Sequence, residues 1–337
     1  MIQTYLAQIY EPPADSHKGV NGRTLIIGGS DLFHAASQWS FQVISRIVDM
    51  TFYSSVAENN EIIQEAKIGI QDGVVVRRLD LSNYLQEADS VLLGPGMRRD
   101  FRSRFKLEKM SSLRWEDLNE LDWEFDTQAV TAVVLKHFPD KHWVIDAGAL
   151  QVVRPSWLPP NSVLTPHQRE LADLTKRLSP SLANFADQLK EVQSELGVRA
   201  FGKEQSLEPV LVERKDLNKF LPSDLADLML AVSVKLNNAN LIIKGQADLI
   251  WNNQQIVAVV GGNAGMAKGG TGDVLAGLVA GLAAKSEPFA SAVVGSYLCK
   301  LAGHQLYTQS RAMYNTSDLV NQLPLSWANL KSSVNKT

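Results

Sequence analysis

The chain has 337 residues, 45% hydrophobic and 20% charged, with a formal net charge of −3, which excludes a disordered chain and disfavours nucleic acid or anionic membrane as default partners. One cysteine, Cys299, excludes an internal disulfide framework and suits a reducing cytosol. No stretch reaches the ~18 apolar residues of a membrane helix, and nothing after Met1 reads as a signal peptide, so the expectation is a soluble cytoplasmic protein with one large α/β domain over residues 1–337.

In chain order, five short apolar runs each end in small or polar residues. Thr24 to Ile27 meets Gly28, Gly29 and Ser30; Ser90 to Leu93 meets Gly94, Pro95 and Gly96. Trp143 to Ile145 meets Asp146, Ala147 and Gly148; Ser162 to Leu164 meets Thr165, Pro166 and His167; Asn240 to Ile243 meets Lys244 and Gly245. Continuous apolar strands suit a sheet buried on both faces, which predicts a mostly parallel sheet with helical crossovers, an α/β/α layering. Two helical stripes fall between them. One is Phe185, Leu189, Val192 and Leu196, with Asn184 as N-cap and Gly197 beyond the end; the other is Leu225, Leu228, Met229, Val232 and Leu236. Both read as core packing. If the sheet is parallel, the strand ends gather along one edge, where open α/β sheets bind ligands.

Two segments fit this pattern poorly. Residues 98–126 are charge-segregated, with Arg98, Arg99, Arg102, Arg104, Lys106, Lys109 and Arg114 ahead of Glu116, Asp117, Glu120, Asp122, Glu124 and Asp126. They read as a solvated excursion whose halves neutralise each other, or as a contact surface for another subunit. Residues 179–222 supply more chain between the His167 and Lys244 strands than a crossover needs.

The stretch from Gly265 to Gly277, GMAKGGTGDVLAG, carries the chemistry. Glycine lets the backbone approach a ligand closely, and the successive amides of Gly270, Thr271 and Gly272 can form an anion-binding nest. Leu275, Leu278, Val279 and Leu282 recur at helical spacing, so a helix start adds further donors and positive dipole. Gly277 and Gly281 would let that helix pack closely against the sheet. An aspartate beside a phosphate is unfavourable for static binding, so Asp273 reads either as a base that deprotonates an attacking hydroxyl or as a helix N-cap. The loop lacks the Gly-Lys-Ser/Thr ending of a Walker motif.

Residues 261–284, GGNAGMAKGGTGDVLAGLVAGLAA, resemble the signature of the NAD(P)H-hydrate dehydratases, a branch of the ribokinase-like superfamily. Similar blocks occur in the family's order at 17–30, 88–97, 143–150, 162–170, 241–250 and 292–307. The resemblance implies a ribokinase-like fold and the ADP- or ATP-dependent dehydration of hydrated NADH or NADPH. In that reaction the ring hydroxyl is phosphorylated and phosphate is then eliminated, a hydro-lyase activity that repairs the cofactor.

It implies Asp273 as base, with Gly270, Thr271 and Gly272 holding the transferred phosphoryl group. Ala36, Gly96 and His167, with Asp273, would contact the hydrated dinucleotide, and Lys244, Gly245, Gln246, Ala247, Asp248 and Gly272 the nucleotide. Mg²⁺ would arrive mainly on the nucleotide phosphates, with no dedicated protein metal site, although Asp146 could orient a water or Mg²⁺. A homo-oligomer, a tetramer by resemblance, is implied, and any epimerase activity would come from another chain.

Bland readings stand beside these: Ala36 and Gly96 as small packing residues, His167 as a satisfied loop histidine, Lys244 as the partner of a local carboxylate. Several positions depart from the family pattern. Lys268 stands beside the nest where a small residue is common and could offer phosphate a cation. Gly148 replaces a second aspartate, and Cys299 and His304 replace histidine and aspartate. The alternatives are a ribokinase-like kinase of a small vitamin-precursor alcohol, or a nucleotide-binding module without turnover, against which the intact Gly-Thr-Gly-Asp argues.

Overall fold

The computed structural model describes residues 2–67, 73–99, 110, 112–202 and 204–334. Its frame is a ten-stranded sheet. The strands are β1 Arg23–Ile27, β2 Met50–Ser54, β3 Val74–Val75, β4 Ser90–Leu93, β5 His142–Ile145, β6 Val163–Leu164, β7 Ser206–Glu213, β8 Asn240–Ile243, β9 Ala247–Trp251 and β10 Ile256–Asn263. They lie in the order β3-β2-β1-β4-β5-β6-β8-β9-β10-β7. The pairings from β3 across to β8 are parallel, and β9, β10 and β7 continue the sheet antiparallel. All five apolar runs are strands of the parallel part.

Successive side chains of a strand face opposite ways, and here both faces are covered. Leu25 and Ile27 of β1 and Leu93 of β4 enter one core. There they meet helices α5 (Thr127–His137), α7 (Gln168–Leu178), α8 (Phe185–Phe201) and α10 (Ser223–Lys235). Ile26, Leu92, Val144 and Ile242 face the second core. It is closed by α2 (His34–Ile44), α11 (Thr271–Ala283), α12 (Pro288–Ser310) and α13 (Thr316–Val334). Further helices complete the layers: α1 (Ile2–Leu6), α3 (Ala57–Lys67), α4 (Leu81–Glu87), α6 (Ala147–Val152) and α9 (Arg214–Leu217). The result is the expected three-layer α/β/α arrangement.

Both helical stripes are buried as expected, but Gly197 does not end its helix. α8 continues to Phe201, and Gly202, at φ 53°, follows it. Gly197 instead packs against Gln246, where a Cβ would lie 2.5 Å from Oε1. Gly277 serves close packing against α2 rather than against the sheet, and Gly281 packs on the turn that follows α2. A Cβ on Gly277 would sit 2.8 Å from Cα of Ser40 on α2, and one on Gly281 would sit 2.8 Å from Cδ1 of Ile47.

The surplus chain in 179–222 is accounted for by α8, β7 and α9, since the chain runs out to the far edge of the sheet before returning to β8. Within 98–126, Arg102, Arg104, Lys106 and Lys109 lie outside the described residues. The described part of the segment is only partly solvated. Met110, Leu113, Leu118, Leu121 and Trp123 join the first core, a buried face that its charge had masked. Its ends do neutralise each other, as Arg98 is ion-paired with both Asp31 and Glu124.

Candidate active site

α11 starts where it does because Gly270 adopts φ 97°, a left-handed conformation that L side chains rarely take, and a Cβ there would lie 2.3 Å from the Trp39 ring. The loop ahead of it is held from the C-terminal side. The Thr316 hydroxyl donates to the Gly269 carbonyl at 2.7 Å. The Lys268 ammonium donates to the Ala312 carbonyl at 2.6 Å and also to that of Tyr314. Lys268 is therefore a tether between the loop and the α12–α13 connection, with its charge already engaged.

Of the three amides in the predicted nest, Thr271 N–H turns back to the Lys268 carbonyl at 3.3 Å. Among the described residues no backbone carbonyl accepts from Gly270 or Gly272. Two donors at a helix N-terminus thus remain for an anion.

Asp273 lies in the first turn, partly buried. Its carboxyl is pushed up to about 7, chiefly by desolvation and then by the charge of Asp146, against the pull of Lys244 and of its own backbone N–H. No side-chain cap bond is made at the α11 start, so the N-cap alternative for Asp273 has no support in the geometry. Ser40 on α2 donates to the Asp273 carbonyl at 2.9 Å and to the Ala36 carbonyl at 3.3 Å. Ala36 in turn meets Gly96, where a Cβ would lie 3.3 Å from that of Ala36. Ala36, Gly96 and Asp273 are thereby joined through one helix.

Lys244, just past β8, reaches toward the same helix start, its Nζ 3.2 Å from where a Gly272 Cβ would be. It pairs with a local carboxylate, as the bland reading held: Nζ donates to Asp146 Oδ1 at 3.0 Å, and the Thr165 hydroxyl donates to that oxygen at 2.7 Å. Burial alone would lower the Lys244 ammonium, but Asp146, Glu170 and Asp273 together raise it. An amine whose charged form is favoured therefore stands beside the nest.

His167 is a satisfied histidine, as the bland reading held, and its place is structural. It is the N-cap of α7, its Nδ1 accepting from the amides of Arg169 at 3.1 Å and Glu170 at 3.3 Å. Glu170 Oε2 closes a capping box by accepting the His167 N–H at 3.0 Å. Because Nδ1 accepts, Nε2 carries the proton of the neutral ring.

A cavity of about 1180 Å³ opens along this edge, lined by His167, Lys244, Gly245, Gln246, Asp248, Thr271 and Gly272 among others. Asp273, Ala36 and Gly96 are not in its lining, and they lie on the α2 side of the helix start. Ala247 is fully buried, its carbonyl accepting from Gln193 at 2.6 Å, so it shapes the turn without facing the cavity.

The sequence reading had passed over Gln193 and Lys300, both of which fix this turn. The signal for Lys300 was available: a lone lysine inside the otherwise apolar run Gly295 to Gly303. The departures also have structural readings. A Cβ on Gly148 would lie 2.2 Å from the Met97 carbonyl, so an aspartate has no room there. His304 Nδ1 lies 3.0 Å from the Ser206 hydroxyl, and Cys299 is a buried thiol pushed up to about 12 by desolvation.

A family model described as NAD(P)H-hydrate dehydratase matches residues 186–325, the part that carries the Lys244 turn, the glycine loop and Asp273. Over this part the chain is similar to the NAD(P)H-hydrate dehydratases. A bifunctional NAD(P)H-hydrate repair enzyme of Methanocaldococcus jannaschii is 25% identical over 318 residues, covering 92% of this chain and 49% of that protein. The chain thus spans about half the length of such bifunctional relatives. An ADP-dependent (S)-NAD(P)H-hydrate dehydratase of Enterococcus faecalis is 23% identical over 88% of this chain and 82% of its own.

The fold is ribokinase-like. A ribokinase-like superfamily protein from Enterococcus faecalis superposes with TM-score 0.65 at 20% identity, covering 96% of this chain and 93% of its own. The ADP/ATP-dependent NAD(P)H-hydrate dehydratase of Bacillus subtilis, co-crystallized with ATP/Mg²⁺, gives 0.61 at 18% identity, covering 98% and 97%.

Proposed function

We propose that this chain, acting as one domain, dehydrates hydrated NADH or NADPH at the expense of ADP or ATP. Asp273 carries the reading: a carboxylate held near neutrality at the mouth of an amide-bearing helix start, with Lys244 at its side. Its role is to take the proton of the ring hydroxyl as that oxygen attacks the terminal phosphorus. The amides of Gly270 and Gly272 and the Lys244 ammonium stabilise charge on the moving phosphoryl group. The Thr271 amide, turned into its own loop, supports the nest without facing the phosphate. The ring nitrogen's lone pair then expels phosphate, and loss of a proton from the adjacent ring carbon to phosphate or water restores the double bond, which needs little from the protein.

The cavity side takes the nucleotide, along Lys244, Gly245, Gln246, Asp248 and Gly272. Ala36, Gly96 and His167 take the hydrated dinucleotide. Mg²⁺ travels with the nucleotide phosphates. Asp146, with Oδ1 already shared by Thr165 and Lys244, is better suited to orient Lys244 than to ligate metal. A tetramer in solution is part of the same proposal, to be checked by sedimentation.

Chemically hydrated NADH, incubated with Mg²⁺ and either ADP or ATP, should regain its reduced-nicotinamide absorbance and release free phosphate. Accumulation of a stable phosphorylated product from a small alcohol instead, with no recovery of absorbance, would make the chain a vitamin-precursor kinase.

A further inference from the structure

We infer that Lys300 and Asp248 form a buried clamp that positions the turn from Lys244 to Asp248 for the nucleotide, a role that rests on the dehydratase reading. Lys300 is 4% exposed in the middle of α12, and Asp248 is likewise 4% exposed at the start of β9. An ammonium is buried this deeply only when fully met by acceptors. Nζ donates to the Gly245 carbonyl at 2.7 Å and the Gly261 carbonyl at 3.3 Å, and lies 3.2 Å from Asp248 Oδ1.

Asp248 completes the arrangement from the other direction. Its Oδ1 accepts the Gly245 N–H at 2.8 Å, and its Oδ2 accepts the Ser296 hydroxyl at 2.7 Å. The two peptides flanking Gly245 are therefore both fixed, one through its N–H by the carboxylate and the other through its carbonyl by the ammonium. Gly245, Asp248, Gly261 and Lys300 all line the large cavity, and the preceding residue is Lys244, whose ammonium stands beside the phosphate nest. Freeing Gly245 would free the main chain that aims Lys244 and shapes the nucleotide wall. Lys300 and Asp248 are positioning residues on this account.

The test uses Lys300→Met in the full chain, with melting temperature as the control for folding. Two results are expected. Amide exchange across residues 241–250 speeds up in the variant without nucleotide. The KM and directly titrated Kd for Mg²⁺-nucleotide rise about tenfold or more, while KM for the hydrated dinucleotide stays within about twofold. Should Lys300→Met fail to fold, Lys300→Met/Asp248→Leu removes both charges together, a change that buried pairs often tolerate. It should regain stability but not nucleotide affinity.

Wild-type exchange in the 241–250 peptide, or wild-type nucleotide Kd in either folded variant, overturns the clamp. If the wild-type chain itself binds neither ADP nor ATP, the dehydratase reading falls instead. The exchange experiment then decides alone whether the clamp holds the turn.

Discussion

At Asp273 the chemistry and the stability of the fold are set against each other. A carboxyl held at about 7 is a base only above that pH, so the dehydration rate should climb through about pH 7 and level off. Asp273→Asn should cost at least ~10²-fold in rate while nucleotide still binds, and an unchanged rate would remove Asp273 from the mechanism. Stability should move the other way. A raised carboxyl binds its proton more tightly folded than unfolded, so its stabilising contribution is full below the ordinary aspartate range and is lost as pH rises through about 7. Asp273→Asn should therefore melt higher than wild type at pH 8, and its advantage should shrink toward pH 4. A thermal scan at both pH values checks this.

The residue scale was also the most legible in sequence. Asp273, Lys244 and His167 sit at strand or helix ends that the apolar runs already announced. What could not be read was where each side chain's charge is spent, as with Lys268 on two carbonyls of a distant loop or Lys244 on Asp146.

At the scale of elements, five of the seven parallel strands were legible because each is an unbroken apolar run ending in glycine or a polar residue, whereas β2 and β3 were not read. β7 was not, since Pro209 interrupts it and its burial alternates as an edge strand's does. β9 and β10 were missed for a different reason: they extend the sheet antiparallel beyond the parallel pattern that guided the reading.

The pairing of α11 with α2 was equally invisible, because two glycines four residues apart do not name their neighbour. That contact positions both halves of the site, since α2 carries Ala36 and Ser40, and α11 carries Gly272 and Asp273. Gly277→Val, which drives a side chain into the Ser40 backbone, should cost about 1–3 kcal/mol. It should also lower kcat by displacing Asp273 from Ala36 and Gly96. A denaturant melt with an unchanged midpoint, together with wild-type kcat, would show that the two helices absorb the change.

For the whole molecule, a cavity of about 1180 Å³ on one sheet edge predicts that ligand and fold are thermodynamically linked. At a hundredfold excess over Kd, Mg²⁺-nucleotide should stabilise the folded chain by about 2.7 kcal/mol, visible as a rise in melting temperature with ADP or ATP and absent with a nucleotide-free polyphosphate control of equal ionic strength. The charge-segregated excursion belongs to this scale too. Its sequence suggested a solvated appendage, yet Trp123 and four neighbouring apolar residues lie in the core. Charge density hid a hydrophobic minority that only the folded chain gathers.

The two margins of the sheet bear on how copies of this protein can meet. One margin is β3, a strand of two residues, and the other is β7, where Pro209 withholds a hydrogen-bond donor and crowds against Gly261. A two-residue margin and a proline-interrupted one both disfavour edge-to-edge pairing, so concentrated solutions should resist fibril-like stacking. Docking of helical or loop faces is then the easier way for copies to meet.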